Sequence, residues 1–329
     1  MESQLVRAAE ILESASSVAL ACHTSPDGDA LGTMLGLHHI LTSRGISAVS
    51  GFPSPLEVPP HYAFLPGAES LTAQPAYPAA PEVMVTVDCG SIDRLDDLRP
   101  SAEAARTLVV IDHHGSNTNY GHVNVIDPSA AASALIVFRM ARERGWEINS
   151  DAAMCLYTGI ATDTGRFQFD NTTPEVFRAV ADLAEIGVPI APVSRTLFEE
   201  HRLAFMKFLG RVLSRCELDA ERQMVISWYD QADLEYFGVT MPETESVIDF
   251  IRQAKEAEVA LLVKESAPGE IKVSLRSLGG IDVASICVER GGGGHRMAAG
   301  YTSRMGIHET IAELKMAVGA AMSERGPTA

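Results

Sequence analysis

The sequence predicts an α/β protein in which a mostly parallel sheet flanked by helices is joined, through a connecting helix, to a second, smaller α/β domain. Two observations carry this prediction. Short apolar runs alternate with helical patterns from the start of the chain, which is typical of β-α-β units. The same alternation restarts after a helical segment near residue 201. The length of 329 residues fits two domains.

The elements of the first domain follow in order. The chain opens with an amphipathic helix. A second helix is predicted at about 30–44, and a short strand follows it at 46–50. Buried strands are predicted for three apolar runs, at 18–22, 83–87 and 107–111. The stretch 53–81 is rich in Pro, Ala and Gly and is predicted as loops around one short helix. Four more helices are predicted at 130–145, 151–163, 173–187 and 189–199.

Helical spacing without a turn cluster predicts a connecting helix over 200–216. Beyond it, strands are predicted in QMVISWY, VALLVKE and IKVSLRS, and helices in PETESVIDFIRQA and IHETIAELKMAVGAAM. The predicted domain organisation is therefore a first domain at 1–199, the connecting helix, and a second domain at 217–329.

Composition and charge narrow the class of protein. Hydrophobic residues make up 46% and charged residues 21%, as in a globular protein. Asp and Glu number 43 against 26 Lys and Arg, and the net charge of −17 argues against a basic surface for long duplex nucleic acid. A small anion in a local site remains compatible with this charge. In the segment 271–305, five basic residues oppose two acidic ones.

Cysteine usage and hydropathy predict a cytoplasmic protein with no membrane partner. The five cysteines are odd in number and form no C-x-x-C pair, so neither a disulfide framework nor a thiolate zinc site is indicated. The N-terminus resembles an amphipathic helix rather than a leader, and no apolar run approaches the roughly 18 residues of a membrane span.

The densest chemical signal, HTSPDGDALG, directly follows the first strand and contains His23, Asp27 and Asp29. Ligands of open α/β sheets bind at the carboxyl ends of strands, so these side chains are expected in such a crevice. Gly28 allows a tight bend that turns two carboxylates toward one centre. The alternative for this segment alone is an Asp-rich turn that caps the next helix.

Three later segments place acids and histidines at equivalent points. VTVDCG ends a strand with Asp88, VVIDHHG ends another with Asp112, His113 and His114, and IATDTGRF places Asp163 after a helix. Carboxylates and imidazoles without thiolate suit Mn²⁺ or Mg²⁺, and a bridging carboxylate can hold two such ions roughly 3.5–4 Å apart. We therefore predict a site for two divalent cations.

A second signal lies near the C-terminus, where GGGGH follows the strand-like KVSLRS. Glycines lack Cβ atoms and can approach a phosphate closely with their N–H groups, so Gly292, Gly293 and Gly294 are candidates for substrate binding. His295 adds a hydrogen-bond donor whose charge changes with pH. The planar guanidinium group of Arg276 can donate two parallel hydrogen bonds to a phosphate. A flexible turn is the alternative for four glycines alone.

Taken in order, HTSPDGDALG, VDCG, IDHHG and ATDTG resemble the metal-site motifs of the DHH phosphoesterase superfamily, and GGGGHRMAAGY after VSLRS resembles its DHHA1 substrate domain. The length and the C-terminal motif are most similar to the bacterial nanoRNase and pAp phosphatase branch. The resemblance implies a DHH domain followed by a DHHA1 domain. It also implies hydrolysis of very short oligoribonucleotides and of 3′-phosphoadenosine 5′-phosphate (pAp), with pApA-like products of cyclic dinucleotides as further substrates, and it favours a homodimer.

The resemblance also implies a role for each matching residue. One Mn²⁺ would be bound by His23, Asp27 and Asp88, and the second by Asp29, Asp88, His113 and Asp163, with Asp88 bridging and Mg²⁺ as an alternative metal. His114 would contact the scissile phosphate, and Asp112 would support the histidines without binding metal. We therefore expect Asp88 and His114 to be essential for catalysis.

Three other functions stay open at this stage. A RecJ-like single-strand exonuclease would need a further nucleic-acid-binding domain or a basic groove with stacking aromatics, and only 6% of residues are aromatic. A manganese pyrophosphatase would share the four N-terminal motifs without GGGGH. A nucleotide sensor would bind metal and ligand without turnover.

Overall fold

The computed structural model describes residues 2–324, and the chain divides after Glu200 into two compact units. The strands of the first unit are β1 (Ser17–Ala21), β2 (Ser47–Gly51), β3 (Val83–Val87), β4 (Thr107–Asp112) and β5 (Val123–Ile126). Its helices are α1 (Glu2–Ser14), α2 (Gly28–Ser43), α3 (Arg99–Ala104), α4 (Ser133–Arg144), α5 (Ser150–Asp163), α6 (Pro174–Ile186) and α7 (Ile190–Phe198).

The sheet of the first unit is parallel throughout, with the strand order β2-β1-β3-β4-β5. The three central strands are almost continuously apolar because helices or turns cover both faces. The larger core lies between one face and helices α1, α2, α4 and α5. All carboxyl ends point to one edge, so the residues that follow β1, β3 and β4 converge there.

Close packing of helices α2 and α5 brings their acidic residues together. A Cβ on Gly32 of α2 would lie 2.4 Å from the carbonyl oxygen of Cys155, and a Cβ on Gly159 of α5 would lie 2.8 Å from Oδ1 of Asp29. Both positions therefore require glycine, because any side chain would push the helices apart. The missing side chains allow Asp29 in the first turn of α2 to lie beside the last turns of α5.

The second unit contains a mixed sheet and five helices within its described residues. Its strands are β6 (Glu217–Asp219), β7 (Met224–Tyr229), β8 (Val259–Ala267), β9 (Glu270–Ser277), β10 (Gly293–His295) and β11 (Ala298–Ser303). Its helices are α8 (Leu203–Ser214), α9 (Gln231–Phe237), α10 (Val247–Ile251), α11 (Val283–Val288) and α12 (Ile307–Glu324). The strand order is β10-β11-β9-β8-β7-β6, and only β7 and β8 pair in parallel.

Each face of this second sheet buries its own core. One face packs against α11 and α12. The other packs against α8, α9 and α10, where Phe205, Phe208 and Val212 of α8 are buried. The helix predicted between the domains therefore lies at Leu203–Ser214 and forms part of the core of the second unit.

The α/β class with a parallel first sheet and a smaller second α/β unit is confirmed, with local differences. The strands β5, β6 and β11 and the short helices α3, α9 and α11 were not predicted. The end of the glycine run forms the edge strand β10 rather than only a loop, because Gly293–His295 pairs with β11. Pairing with a neighbouring strand outweighs the low strand propensity of glycine at this position.

Among residues 2–324, no helix combines the length and apolarity needed to cross a bilayer.

Candidate metal centre

His23 and Asp27 enter the site from the loop that joins β1 to α2. Asp27 caps helix α2 by accepting a hydrogen bond from the backbone N–H of Ala30 at 3.0 Å. Asp27 therefore caps the helix, as in the alternative interpretation of this segment, and also lies in the cluster of predicted metal ligands. His23 is buried, with Nδ1 2.8 Å from the carbonyl oxygen of Thr24 and Nε2 3.6 Å from Oδ2 of Asp88.

Asp29 is buried at the N-terminus of α4. Its Oδ2 accepts a hydrogen bond from the backbone N–H of Ser133 at 2.6 Å, and its Oδ1 accepts from Ala134 at 3.0 Å and from the hydroxyl of Thr33 at 2.9 Å. Helix α4 has no side-chain cap from its own N-cap residue, Ala132, so Asp29 satisfies its first N–H groups. These donors hold the carboxylate in one orientation.

Asp88 lies at the centre of the cluster, directly after β3. Its backbone adopts a left-handed conformation with φ 51°, and its N–H donates to the carbonyl oxygen of Ile111 at 3.0 Å. Oδ1 lies 3.4 Å from Nε2 of His113 and 3.5 Å from Nδ1 of His114. Burial raises its pKa, but hydrogen bonds with His113 and His23 outweigh this and hold the pKa of Asp88 well below its usual range.

His113 faces three carboxylates through one nitrogen. Nε2 lies 3.3 Å from Oδ2 of Asp163 and 3.8 Å from Oδ2 of Asp29, besides its contact with Asp88. Nδ1 lies 3.3 Å from the carbonyl oxygen of Ala130, which orients the ring. Burial lowers the pKa of His113, but the hydrogen bond with Asp88 and the fields of Asp163 and Asp29 raise it to about 11.

Asp112 supports His114 beside Asp88, and one donor atom from each of these three residues lies within 4.8 Å of the other two. Its Oδ1 accepts from the N–H groups of His113 and His114 at 2.8 and 3.2 Å and lies 2.7 Å from Nδ1 of His114, while Oδ2 accepts from Asn117 at 2.6 Å. Burial lowers the pKa of His114, but the contact with Asp112 and the field of Asp88 raise it to about 8. His114 is thus oriented and charged at neutral pH.

Three triads of donor atoms in the first unit share the carboxylate of Asp88. The donors of His23, Asp27 and Asp88 lie within 4.8 Å of one another, and so do those of Asp29, Asp88 and His113 and those of Asp88, Asp112 and His114. Asp163 joins the second triad through its contact with His113. The structure therefore brings together the six residues that the sequence predicts as metal ligands, with Asp88 common to the three triads.

The donor set fits hard divalent cations. Burial and the neighbouring charges of Asp88 and Asp163 raise the pKa of Asp29 well above its usual range, and burial raises the pKa of Asp163 to about 7. The cluster is thus electrostatically unfavourable without added positive charge. Cys22 and Cys89 lie nearby, but burial raises the pKa of the Cys22 thiol and raises that of Cys89 to about 11, so neither offers a thiolate.

Two residues at this site were missed by sequence reasoning. The hydroxyl of Ser133 donates to Oδ1 of Asp88 at 3.1 Å, and Nη2 of Arg94 lies 3.0 Å from Nδ1 of His23. Ser133 lies in the small-residue segment SAAAS, which has no chemical signal. Arg94 could have been found from the sequence, since it is a charged residue that follows Asp88 at the carboxyl end of β3.

The predicted substrate residues of the second unit lie on neighbouring strands. In the antiparallel pairings, His295 of β10 lies opposite Ala298 of β11, which lies opposite Arg276 of β9, so His295 and Arg276 share one face. Gly291 and Gly294 have φ values of 77° and 137°, which favour glycine.

The glycines of this segment differ in what they can contribute. The N–H of Gly292 donates to the carbonyl oxygen of Cys287 at 2.9 Å, and a Cβ there would lie 2.2 Å from the carbonyl oxygen of Gly300. The N–H of Gly292 is therefore used within the unit, and its part in substrate binding stays a prediction. A Cβ at Gly293 would meet no atom within 4 Å, so Gly293 is the position that a ligand can approach.

The fold and this cluster define an α/β protein with a cluster of carboxylates and imidazoles, able to hold metal, at the carboxyl edge of a parallel sheet. Models of two families match the chain: "DHH family, N-terminal domain" over residues 17–160 and "DHHA1 domain" over residues 224–324. The chain belongs to the DHH family and carries its DHHA1 domain.

Relatives and one solved structure span nearly the whole chain. A bifunctional oligoribonuclease and PAP phosphatase from Thermus thermophilus is 33% identical over 89% of this chain and 86% of its own length. One with the same name from Bacillus subtilis is 27% identical over 91% of this chain and 92% of its length. An exopolyphosphatase-related protein from Bacteroides fragilis shares the fold, with a TM-score of 0.91 at 22% identity over 99% and 98% of the two chains.

Proposed function

We propose that this protein is a two-metal phosphoesterase that hydrolyses short oligoribonucleotides and pAp. The observation that carries the proposal is the carboxylate of Asp88, shared by the two triads of proposed metal ligands. The names of the relatives from Thermus thermophilus and Bacillus subtilis support the same substrates. Mn²⁺ is the proposed metal and Mg²⁺ the alternative, because the donors are carboxylates and imidazoles. A homodimer and a cytoplasmic location remain predictions from the sequence.

Bound divalent cations supply an activated water molecule and neutralise charge on the reacting phosphate. The residues of the chain organise this chemistry. His23 and Asp27 would hold one ion, Asp29, His113 and Asp163 would hold the other, and Asp88 would contribute to both sets of ligands. The raised pKa values of Asp29 and Asp163 support metal binding here, since neighbouring carboxylates repel one another in the absence of added positive charge.

His114 contacts the scissile phosphate. Its Nδ1 lies 2.7 Å from Asp112, so Nε2 is the nitrogen that can donate to a phosphate oxygen. The pKa of about 8, raised by Asp112 and Asp88 against the effect of burial, makes the ring a charged donor at neutral pH. His114 thus positions the phosphate and stabilises negative charge that develops on it.

The second unit binds the remainder of the substrate through Arg276, Gly293, Gly294 and His295. The guanidinium group of Arg276 can donate two hydrogen bonds to a phosphate. His295 lies on the same face of the sheet, two strands away. Gly293 and Gly294 form an edge strand without side chains, so a nucleotide can approach the backbone closely. Recognition of one substrate end by these groups favours short substrates over long strands.

The test is phosphate release and chain shortening by the purified full-length protein with Mn²⁺ or Mg²⁺. We expect hydrolysis of pAp and of a dinucleotide, slower cleavage of a long single-stranded RNA, and loss of both activities in Asp88→Ala. Binding of pAp without release would instead indicate a sensor, and equal rates on the dinucleotide and the long RNA would contradict the preference for short substrates. Asp182→Ala on α6, at a half-exposed carboxylate that pairs with Arg142 and lies outside the three triads, is the matched control.

A further inference from the structure

The side chain of Asn171, in the loop after α5, reaches back to the backbone of a predicted metal ligand. Its Nδ2 donates to the carbonyl oxygen of Asp163 at 3.0 Å and to the carbonyl oxygen of Ala131 at 3.1 Å. Asp163 is the last residue of α5, where the final carbonyl groups lack partners within the helix. Asn171 therefore ties the end of α5 to the segment that leads into α4.

The segment 130–133, which leads into α4, is buried and orients three predicted metal ligands. Its contacts are those of Ala130 with His113, and of Ser133 with Asp29 and Asp88. Asn171 adds a bond from this segment to Asp163. A single short segment is thus connected to all four residues that we propose as ligands of one ion.

The amide of Asn171 can make these contacts in one orientation only. Carbonyl oxygens accept and do not donate, so the Nδ2 side of the amide must face Asp163 and Ala131. Its Oδ1 is buried and has no hydrogen-bond partner in the described part of the chain. A buried acceptor without a donor is unfavourable, and the two N–H bonds of the same amide offset this penalty.

The carboxylate of Asp163 depends on its backbone for orientation more than those of Asp29 and Asp88 do. The side chain of Asp163 is 24% exposed, against 1% for Asp29 and 2% for Asp88. Asp29 and Asp88 both accept hydrogen bonds from Ser133. Among residues 2–324, the carboxylate of Asp163 accepts none from a backbone N–H or a hydroxyl group, and it contacts Nε2 of His113. The position of its backbone therefore sets the direction of this carboxylate.

The turn after Asp163 is strained and needs contacts that hold it. Gly165, Arg166 and Phe167 follow one another with φ values of 54°, 62° and 64°, and two of them are not glycine. A left-handed backbone is unfavourable for such residues and persists only where surrounding contacts fix it. The N–H of Arg166 donates to a carbonyl oxygen of α5 at 2.9 Å, and Asn171 adds a contact with a separate segment.

We propose that Asn171 is a positioning residue that holds the Asp163 carboxylate in place for one of the two ions. The inference rests on the proposed two-metal function. The other ion would be held by His23 and Asp27. Within the described residues, neither of these forms a hydrogen bond with Asn171 or with the segment that leads into α4. Loss of the two N–H bonds should therefore weaken the binding of one ion more than that of the other.

The test is a calorimetric titration of the metal-free, full-length protein with Mn²⁺. The wild type is expected to bind two ions per chain. Asn171→Leu removes the amide and should bind one ion as the wild type does and the other about 10- to 100-fold more weakly, the range for loss of a group that orients a metal ligand. Asn171→Gln retains the N–H donors and should recover part of the affinity.

Asn124→Leu is the matched control, because Asn124 also bonds through its amide to a backbone carbonyl oxygen, that of Gly121 at the start of β5. Both leucine variants should lower the Tm of the metal-free protein by a few degrees, but Asn124→Leu should leave both Mn²⁺ affinities unchanged. If Asn171→Leu does not fold, Asn171→Asp replaces it. This variant is nearly isosteric, lacks both N–H donors, and should weaken one ion although its negative charge alone would favour a cation.

The outcomes separate this inference from the proposed function. A wild type that binds fewer than two Mn²⁺ would overturn the two-metal function and the inference with it. If the wild type binds two ions, and the Asn171 variants bind both with unchanged or equally lowered affinity, the positioning role is wrong while the proposed function stands. An equal loss of affinity in Asn124→Leu would show that reduced stability alone weakens binding, which would also overturn the positioning role.

Discussion

The hydroxyl of Ser133 donates a hydrogen bond to Oδ1 of Asp88 at 3.1 Å in a fully buried position. The backbone N–H of Ser133 donates to Asp29. One residue at the start of α4 therefore orients a carboxylate from each of two other segments. This relationship connects the packing of α4 on the sheet with the geometry of the metal centre, because a shift of the helix would move both carboxylates.

Ser133→Ala removes the hydroxyl and keeps the backbone N–H. We expect the affinity for Mn²⁺ to fall by roughly 10- to 100-fold, because Asp88 loses the partner that orients it. Calorimetric titration of the protein with Mn²⁺ measures the change directly. Ser133→Thr retains the hydroxyl and should bind Mn²⁺ nearly as the wild type does. Equal affinities in the alanine variant and the wild type would exclude a positioning role for the hydroxyl.

Asp112→Asn tests the support of His114. The variant keeps the shape of the side chain but removes the negative charge that raises the pKa of His114 to about 8 against the effect of burial. The pKa of His114 should therefore fall, so that less of the ring is protonated at neutral pH. Histidine resonances followed by NMR during a pH titration of metal-free protein measure this pKa. Turnover should fall about 10- to 100-fold.

Two results would contradict this role of Asp112. An unchanged pKa for His114 in Asp112→Asn would show that other groups hold the proton. Loss of Mn²⁺ binding equal to that of a ligand variant would show that Asp112 binds metal itself. Asp182→Asn, on the half-exposed face of α6, serves as the charge-matched control.

The acid stability of the first unit depends on Glu13 at the end of α1. Its carboxylate accepts hydrogen bonds from Arg144 at 2.5 and 2.9 Å and from Trp146 at 2.9 Å. These bonds, opposed by burial, lower the pKa of Glu13 from 4.5 to about 2. A carboxylate with a lowered pKa in the folded state stabilises the fold above its unfolded pKa, and the contribution is lost as the pH falls from 4.5 toward 2.

Glu13→Gln should therefore lower the Tm by a few degrees at pH 7 and by progressively less as the pH falls below 4.5. Melting curves recorded across this range measure the difference between variant and wild type. Glu10→Gln, on the exposed side of the same helix, should give a difference near zero at every pH. A constant difference between Glu13→Gln and wild type would show that the effect is one of packing.

The sequence predicts that the candidate metal ligands lie together, and the structure places them so, because their positions depend on local order. In a parallel sheet, residues that follow strands meet at one edge, so apolar runs followed by acids or histidines suffice to bring Asp88 and His113 together. The strands that were missed depend on pairing with a neighbouring strand rather than on the pattern of their own residues. Strand β10 consists largely of glycine and forms because β11 pairs with it, and β5 has only four residues beside β4.

Residues that act through their neighbours are the hardest to predict from sequence. Ser133 acts through one hydroxyl, and nothing in its chain position indicates that α4 approaches Asp88. Lys264 and Lys272 are 8 positions apart in the printed sequence and look like ordinary solvated charges. Only the strand register shows that they are directly opposed on a half-buried face.

Gly292 and Gly293 allow a matched test of the glycine segment by stability. A Cβ at Gly292 would lie 2.2 Å from the carbonyl oxygen of Gly300 and 2.4 Å from Cβ of Tyr301, whereas one at Gly293 would meet no atom within 4 Å. Gly292→Ala should thus separate β10 from β11 and destabilise the second unit by about 1–3 kcal/mol. The Gly293→Ala variant should have the same unfolding midpoint in a urea titration as the wild type. Equal destabilisation by the two variants would mean that backbone entropy, rather than the close approach at Gly292, sets the requirement for glycine.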